Sequence, residues 1–212
     1  MIRTVSMKLF CLVACAVFLA GMAWAQIPDD VYFVSYYSGA NANNGQDAVV
    51  RIDNPGVANG ATICADIYVF DADEEMLDCC GCTVSPDDLR LLSVNRNLTA
   101  HAANGTKPTT GVIKIVSAQP NPNGSVTCDP TGGATIHGGF KDNIVPTPDI
   151  RAWGTHLQSP FTDKGQSNVV TTEEEFQDST LVQDELNGLQ NTCFGIYTLG
   201  SGKGICTCGS GH

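Results

Sequence analysis

Positive charge is scarce in this sequence. Lys and Arg number 11 against 22 Asp and Glu, a formal net charge of −11. A chain so poor in cations cannot neutralise a run of phosphates, which excludes nucleic acid as a partner. It is equally ill-suited to an anionic membrane surface. Long apolar runs are missing beyond the first two dozen residues, and no internal repeat is present. There is no Gly-x-Ser-x-Gly elbow and no His-Glu-x-x-His pair, which leaves no motif for a serine hydrolase or a zinc protease. His101, His137, His156 and His212 are scattered among generic neighbours, so each reads as a loop or surface residue and not as a base.

Two partial motifs also fail. Gly200-Ser201-Gly202-Lys203-Gly204 lacks the Ser or Thr that must follow the lysine of a phosphate loop. Asp71-Ala72-Asp73-Glu74-Glu75 begins like a calcium loop but lacks its central Gly and its distant Glu; it reads as a hairpin turn. No catalytic, cofactor-binding or metal-binding residue is therefore expected, and no cofactor.

What is present begins with an export signal. Arg3 and Lys8 precede the apolar stretch from Leu9 to Ala23, and Ala23-Trp24-Ala25 fits the small-x-small pattern of a signal peptidase. The stretch of about 15 residues falls short of the roughly 20 that span a bilayer. Leu12-Val13-Ala14-Cys15 resembles a lipobox, but the apolar run continues past Cys15 where a lipoprotein turns polar. Cleavage between Ala25 and Gln26 is expected, with no transmembrane span in the mature chain. Removing 25 of 212 residues leaves 187, one domain's worth. Losing Arg3 and Lys8 moves the charge from −11 to −13.

The ten cysteines fall to eight on cleavage: Cys64, Cys79, Cys80, Cys82, Cys128, Cys193, Cys206 and Cys208. An even count in an exported chain reads as disulfides. Cysteines adjacent or one residue apart are awkward partners for each other, so the clustered thiols must reach across the fold. Thr62–Phe70 and Glu75–Cys82 read as the strands of a hairpin. Phe70 opposite Glu75 sets Cys64 against position 81, and a shift of one residue sets it against Cys80 or Cys82. The expected bridges are Cys64 to the 79–82 cluster, Cys193 to Cys206 or Cys208, Cys128 to the first cluster, and the last cluster thiol to the tail. The rival is a thiolate metal site from the 79–82 cluster, Cys206, Cys208 and His212. Neither spacing is the Cys-x2-Cys of structural zinc, and export favours oxidation.

Residues 26–172 hold short β-rich runs at 31–37, 48–52, 62–70, 111–116, 135–137, 150–154 and 168–171. Ile63, Ala65, Ile67 and Val69 share one face, the period of a half-buried strand. Asn-Gly pairs at 44–45, 59–60, 104–105 and 123–124 supply turns. Residues 119–149, dense in Pro and Gly, read as a long loop. The texture changes in residues 173–212. Glu173-Glu174-Glu175 reads as a solvated face. Thr180 and Gln183 fit a capping box, and Val182, Leu186, Leu189 and Cys193 form one helical stripe. The sequence thus predicts a mainly β fold: an antiparallel β-sandwich with a C-terminal α-helix and a disulfide-clamped tail.

Cys79-Cys80-Gly81-Cys82-x-Val84-x-Pro86-x-x-Leu89, running into Leu92-Ser93-Val94-Asn95-x-Asn97-Leu98-Thr99, resembles a group of secreted bacterial proteins of unassigned function. The tail Gly200-x-Gly202-x-Gly204-Ile205-Cys206 is similar to the same group, and the likeness spans about two-thirds of the mature chain. It implies secretion and unity of the chain, and no catalytic residue. The expected function is a secreted, periplasmic or envelope-associated structural or binding protein, with a carbohydrate, a cell surface or sister subunits as the fitting partners. An extracellular hydrolase with dispersed carboxylates and a thiolate metal or redox protein are the alternatives.

Overall fold

The computed structural model describes residues 27–38, 47–57, 60–121, 127–133, 144–163, 166–199 and 201–209. The expected signal segment, the strand at 135–137, His137 and His212 lie outside them. Nine strands are described: β1 (Tyr32–Ser38), β2 (Val49–Asp53), β3 (Ile63–Asp71), β4 (Met76–Val84), β5 (Leu89–Ser93), β6 (Thr110–Ala118), β7 (Arg151–Asp163), β8 (Gln166–Glu175) and β9 (Gln177–Asp178). A single π-helical turn, Val94–Leu98, follows β5, and helix α1 covers Gln183–Thr198. The strands form two antiparallel sheets, ordered β4-β3-β6-β1-β9 and β5-β2-β7-β8.

The core between the sheets follows from period-2 alternation. Ile63, Ala65, Ile67 and Val69 of β3 pack with Val50 and Ile52 of β2, Leu92 of β5, Ile113 and Ile115 of β6, and Ala152 of β7. The opposite face of β3 is also buried: Cys64, Asp66 and Tyr68 are 1%, 1% and 0% exposed. The strand expected to be half-buried is therefore covered on both sides. Its second cover is helix α1, whose Leu186, Leu189, Cys193 and Ile196 pack on Tyr32, Tyr68, Cys79 and Val116. Burying each of these aliphatic side chains is worth roughly 1.5–3 kcal/mol.

The helix begins later than the expected capping box. Its N-cap is Val182, with no side-chain cap bond, and the Gln183 amide instead reaches Asn187. Asp184 and Glu185 in the first turn favour the positive end of the helix dipole. Glu185 accepts a hydrogen bond from the Tyr32 hydroxyl at 2.5 Å and pairs with Lys114 at 2.9 Å, which docks the helix N-terminus on the five-stranded sheet. The acidic run 173–175 closes β8, with Glu175, Glu174 and Glu173 opposite Trp153, Gly154 and Thr155 of β7.

The β3–β4 turn is the expected one. The Asp71 carboxylate accepts from the amides of Asp73 and Glu75 at 3.0 and 2.9 Å, so its oxygen is spent on the turn.

All eight cysteines are paired: Cys64–Cys128, Cys79–Cys193, Cys80–Cys206 and Cys82–Cys208. The expected pairings of Cys64, Cys128 and Cys193 are wrong, for two reasons. Phe70 pairs with Met76 instead of Glu75, and a register irregularity between Val69 and Phe70 adds one more residue, which together set Cys64 opposite Thr83, not 81. Alternation then divides the cluster. Cys79 stands on the helix face with Tyr68 and meets Cys193. Cys80 and Cys82 point into the sandwich core with Cys206.

The tail runs parallel to β4. Ile205 bridges Cys79, the Cys79 amide donates to the Gly204 carbonyl at 2.9 Å, and the Cys206 amide donates back to Cys79. Both tail bridges have the same sequence separation, 126, as two rungs of one parallel pairing must. The tail thereby covers β4, an edge that would otherwise present unpaired backbone groups. The fourth bridge ties residues 127–133 as a strap across the helix side of β3. Cys128 lies directly over Gly81, where a β-carbon would stand 2.6 Å from the Cys128 carbonyl oxygen.

Candidate functional site

A cleft of about 410 Å³ opens at one end of the sandwich, where the two sheets part. Asp30 and Phe33 come from the entry to β1, Pro55 and Val57 from the exit of β2, Pro148 to Arg151 from the entry to β7, and Glu175 and Asp178 from the ends of β8 and β9. The elements fix these groups because β9 is only two residues long. It pairs with Phe33 and Val34 and then leaves the edge open. A smaller hollow shares Asp30 and Asp178 and continues toward Thr180.

Asp30, Asp149, Glu175 and Asp178 make the cleft acidic, and Arg151 is the cation among them. Asp30 and Asp149 sit at φ 60° and 126°. Such positions cost free energy for a non-glycine residue and cluster at functional sites. One oxygen of Asp149 is buried without a hydrogen-bond partner. The Asp178 carboxyl is pushed above the usual carboxylate range, first by burial and then by the charges of Asp30 and Glu175. The walls are apolar where Phe33, Pro55, Val57, Pro148 and Ile150 contribute, and Val57 is 76% exposed. Chemically, the cleft accepts hydrogen bonds at several carboxylates, donates from one guanidinium, and offers flat apolar surface beside both.

No match was found among protein-family models, curated protein sequences or solved structures. The residues of this chain must carry the reading.

The other expected site residues fall elsewhere. The sulfurs of Cys80, Cys82 and Cys208 lie within 4.8 Å of one another, the convergence a thiolate site needs. Each is engaged in a disulfide, however, and a bridged sulfur has no thiolate to offer a metal. His101 is exposed. His156 departs from the surface reading. It is 1% exposed, stacks on Tyr36 with ring centroids 4.0 Å apart, and lies 3.8 Å from a Glu174 oxygen. Burial pulls its pKa down and Glu174 opposes that pull. Asn97 and Asn104, which open the Asn-x-Thr triplets 97–99 and 104–106, use their side chains internally, on Ser93 and Thr207 and on Thr106.

Sequence reasoning missed the cleft because its carboxylates come from three separate chain segments. It also missed Asp66 and Asp78, which are 1% and 0% exposed. An acid inside an apolar strand was the signal: Asp66 interrupts Ile63–Val69, and Asp78 precedes the cysteine cluster.

Proposed function

We propose that the protein is a secreted or envelope-associated binding module, exported with cleavage between Ala25 and Gln26, which holds a carbohydrate in the acidic end cleft. Four disulfides mark the chain as one of an extracellular or otherwise oxidising compartment. No helix among the described residues is long and apolar enough to cross a membrane. The resemblance to secreted bacterial proteins agrees with export and assigns no activity.

The observation that carries the reading is the cleft itself: carboxylates and an arginine beside apolar walls, two of the acids on strained backbone, all on a stapled scaffold. Carboxylates accept from neighbouring sugar hydroxyls, the guanidinium donates to sugar oxygens, and apolar walls take the C–H faces. Titration of the mature protein with neutral and amino-bearing oligosaccharides tests it. Saturable binding that weakens about tenfold in Arg151→Ala and Asp178→Asn is expected, since each loses a charge-assisted hydrogen bond to the sugar worth about 1.4 kcal/mol. Absence of binding across the oligosaccharide set overturns it.

One observation favours a second reading. Two carboxyl groups facing one cleft are what glycoside cleavage uses, and Asp178 lines the cleft with Asp30 and Glu175, its own carboxyl raised first by burial and then by their charges. The same oligosaccharides decide between the two. New reducing ends, lost in Asp178→Asn, make the protein a hydrolase. Intact sugars recovered from the complex leave it a binding module.

A further inference from the structure

The helix face of the five-stranded sheet carries a second polar site, independent of the end cleft. β3 places Cys64, Asp66 and Tyr68 on this face, with Thr83, Gly81 and Cys79 of β4 opposite them. The 127–133 strap runs along the same row. Cys128 is bridged to Cys64 and lies on Gly81, opposite Asp66, and the Pro130 carbonyl accepts from the Tyr68 hydroxyl at 2.8 Å. Asp129 is the residue between those two anchor points, and so sits over Asp66. Its Oδ1 is held by the Thr131 amide and hydroxyl at 2.9 and 2.6 Å.

Helix α1 closes the site from above. Gln190 precedes Cys193 by one turn, and the Cys79–Cys193 bridge fixes that face against the sheet. The Gln190 amide lies on Gly132, its carbon 2.8 Å from where a β-carbon would stand. Gln190 is 2% exposed and its amide nitrogen has no hydrogen-bond partner; Asp66, 1% exposed, likewise has an oxygen without one. Tyr197 lies two turns further along the same helix face and feels the charge of both Asp129 and Asp66.

Asp66 is buried with an unpaired oxygen, and Gln190 with an unpaired amide, which is costly as it stands; Asp129, on the strap above, is exposed. A cation here uses the unpaired groups. We propose that Asp66, Asp129 and Gln190, bordered by Tyr197, form a site for one hard divalent cation, floored by the buried Asp66 and open to solvent at Asp129, with calcium the fitting ion. Carboxylate and amide carbonyl oxygens, with water completing the shell, are the ligands such an ion takes. Rotating the Gln190 amide by half a turn exchanges its nitrogen and oxygen and turns the acceptor inward. The two bridges pin all three carriers of ligands, β3, strap and helix, before any ion arrives, so little ordering entropy is left to oppose binding.

The test uses the mature, oxidised protein after dialysis against a chelator. Terbium is added with excitation of tyrosine, because Tyr68 and Tyr197 border the site and sensitise a bound lanthanide. Emission that saturates at one ion per chain and is displaced by calcium is expected. Asp66→Asn and Asp129→Asn each weaken binding by at least about tenfold, the effect documented even for groups one shell beyond a metal ligand. Gln190→Leu weakens it as well, and serves should either acid variant fail to form its four bridges by mass. Asp178→Asn, in the end cleft, leaves the emission unchanged. Absence of saturable emission, emission unaltered in the Asp66, Asp129 and Gln190 variants, or emission lost with Asp178→Asn overturns the proposal. Oligosaccharide binding is read separately, so either reading can fail without the other.

Discussion

Asp78 lies on β4 with both carboxylate oxygens buried and without partners. Burial pushes its pKa from the ordinary 3.8 up to about 7, and Tyr37 is the titratable neighbour that feels its charge. The folded protein thus binds this proton more tightly than the unfolded chain. The contribution is complete below about pH 4, falls as pH rises toward about 7, and is constant above it. Asp78→Asn should leave stability unchanged at about pH 3.5 and raise it by about 2 kcal/mol at pH 8, an amount reduced from the full linkage value to allow for local relaxation. Urea unfolding across that pH range checks this. Curves for wild type and variant that stay parallel would show that the Asp78 carboxyl titrates normally in the fold. Gly81 is a residue-scale constraint of another kind. Gly81→Ala drives a methyl group into the Cys128 backbone and should cost about 1–3 kcal/mol, with the 64–128 bridge becoming easier to reduce. Denaturant titration and timed alkylation of released thiols read both effects.

Among the elements, helix α1 and the tail are held by bridges that share one short circuit. The Cys79–Cys193 bridge spans 114 residues in sequence. With Cys80–Cys206 in place it closes only the path from 193 to 206 and back through 80 and 79, about 15 residues. The chain-entropy contribution is then about 3 kcal/mol and not the nearly 5 that the sequence separation suggests. The double variant Cys79→Ser, Cys193→Ser should lower the unfolding free energy by about that amount, measured by denaturant, with the helical far-ultraviolet signal lost before the β signal. A loss near 5 kcal/mol would mean that the tail bridges do not shorten the loop. The same elements show what a sequence discloses. β1, β2, β3 and β6 were legible because β-branched and aromatic residues recur there between turn residues, and β4 because it follows β3 across an acidic turn. β5 was not: Leu89–Ser93 is Leu-rich, carries Arg90, and buries only Leu92 fully. β9, two residues ending in Asp178, has no periodicity to read. Leu186, Leu189 and Cys193 of the helix stripe were legible from spacing, whereas Val182 is the exposed N-cap and the partner of Cys193 was not legible. It depended on which face of β4 each cysteine took, and a one-residue difference in register reverses that face.

For the molecule as a whole, compartment and connectivity are the testable properties. Intact mass of the exported protein should give a chain starting at Gln26 or its pyroglutamate form, and reduction should add eight hydrogens, two for each of the four bridges. A retained Met1 or a lipid on Cys15 would refute the export route, and a smaller mass gain would refute the bridge count. The end cleft was not legible at this scale. Asp30, Asp149, Glu175 and Asp178 share no local pattern, and only the meeting of two sheet ends groups them.

The parallel seating of the tail on β4 also bears on how the chain matures. A polypeptide leaving a translocation channel amino end first delivers Cys79, Cys80 and Cys82 more than a hundred residues ahead of their partners. Until Cys128 emerges, Cys64 and the three thiols of β4 have only one another within reach, and Cys128 then offers a native partner to Cys64 alone. An oxidase acting as they emerge joins the wrong ones, and the correct set forms only by later reshuffling. Maturation should therefore be slow and limited by thiol–disulfide exchange. An isomerase should accelerate recovery of the fully bridged form from reduced chain far more than additional oxidant does.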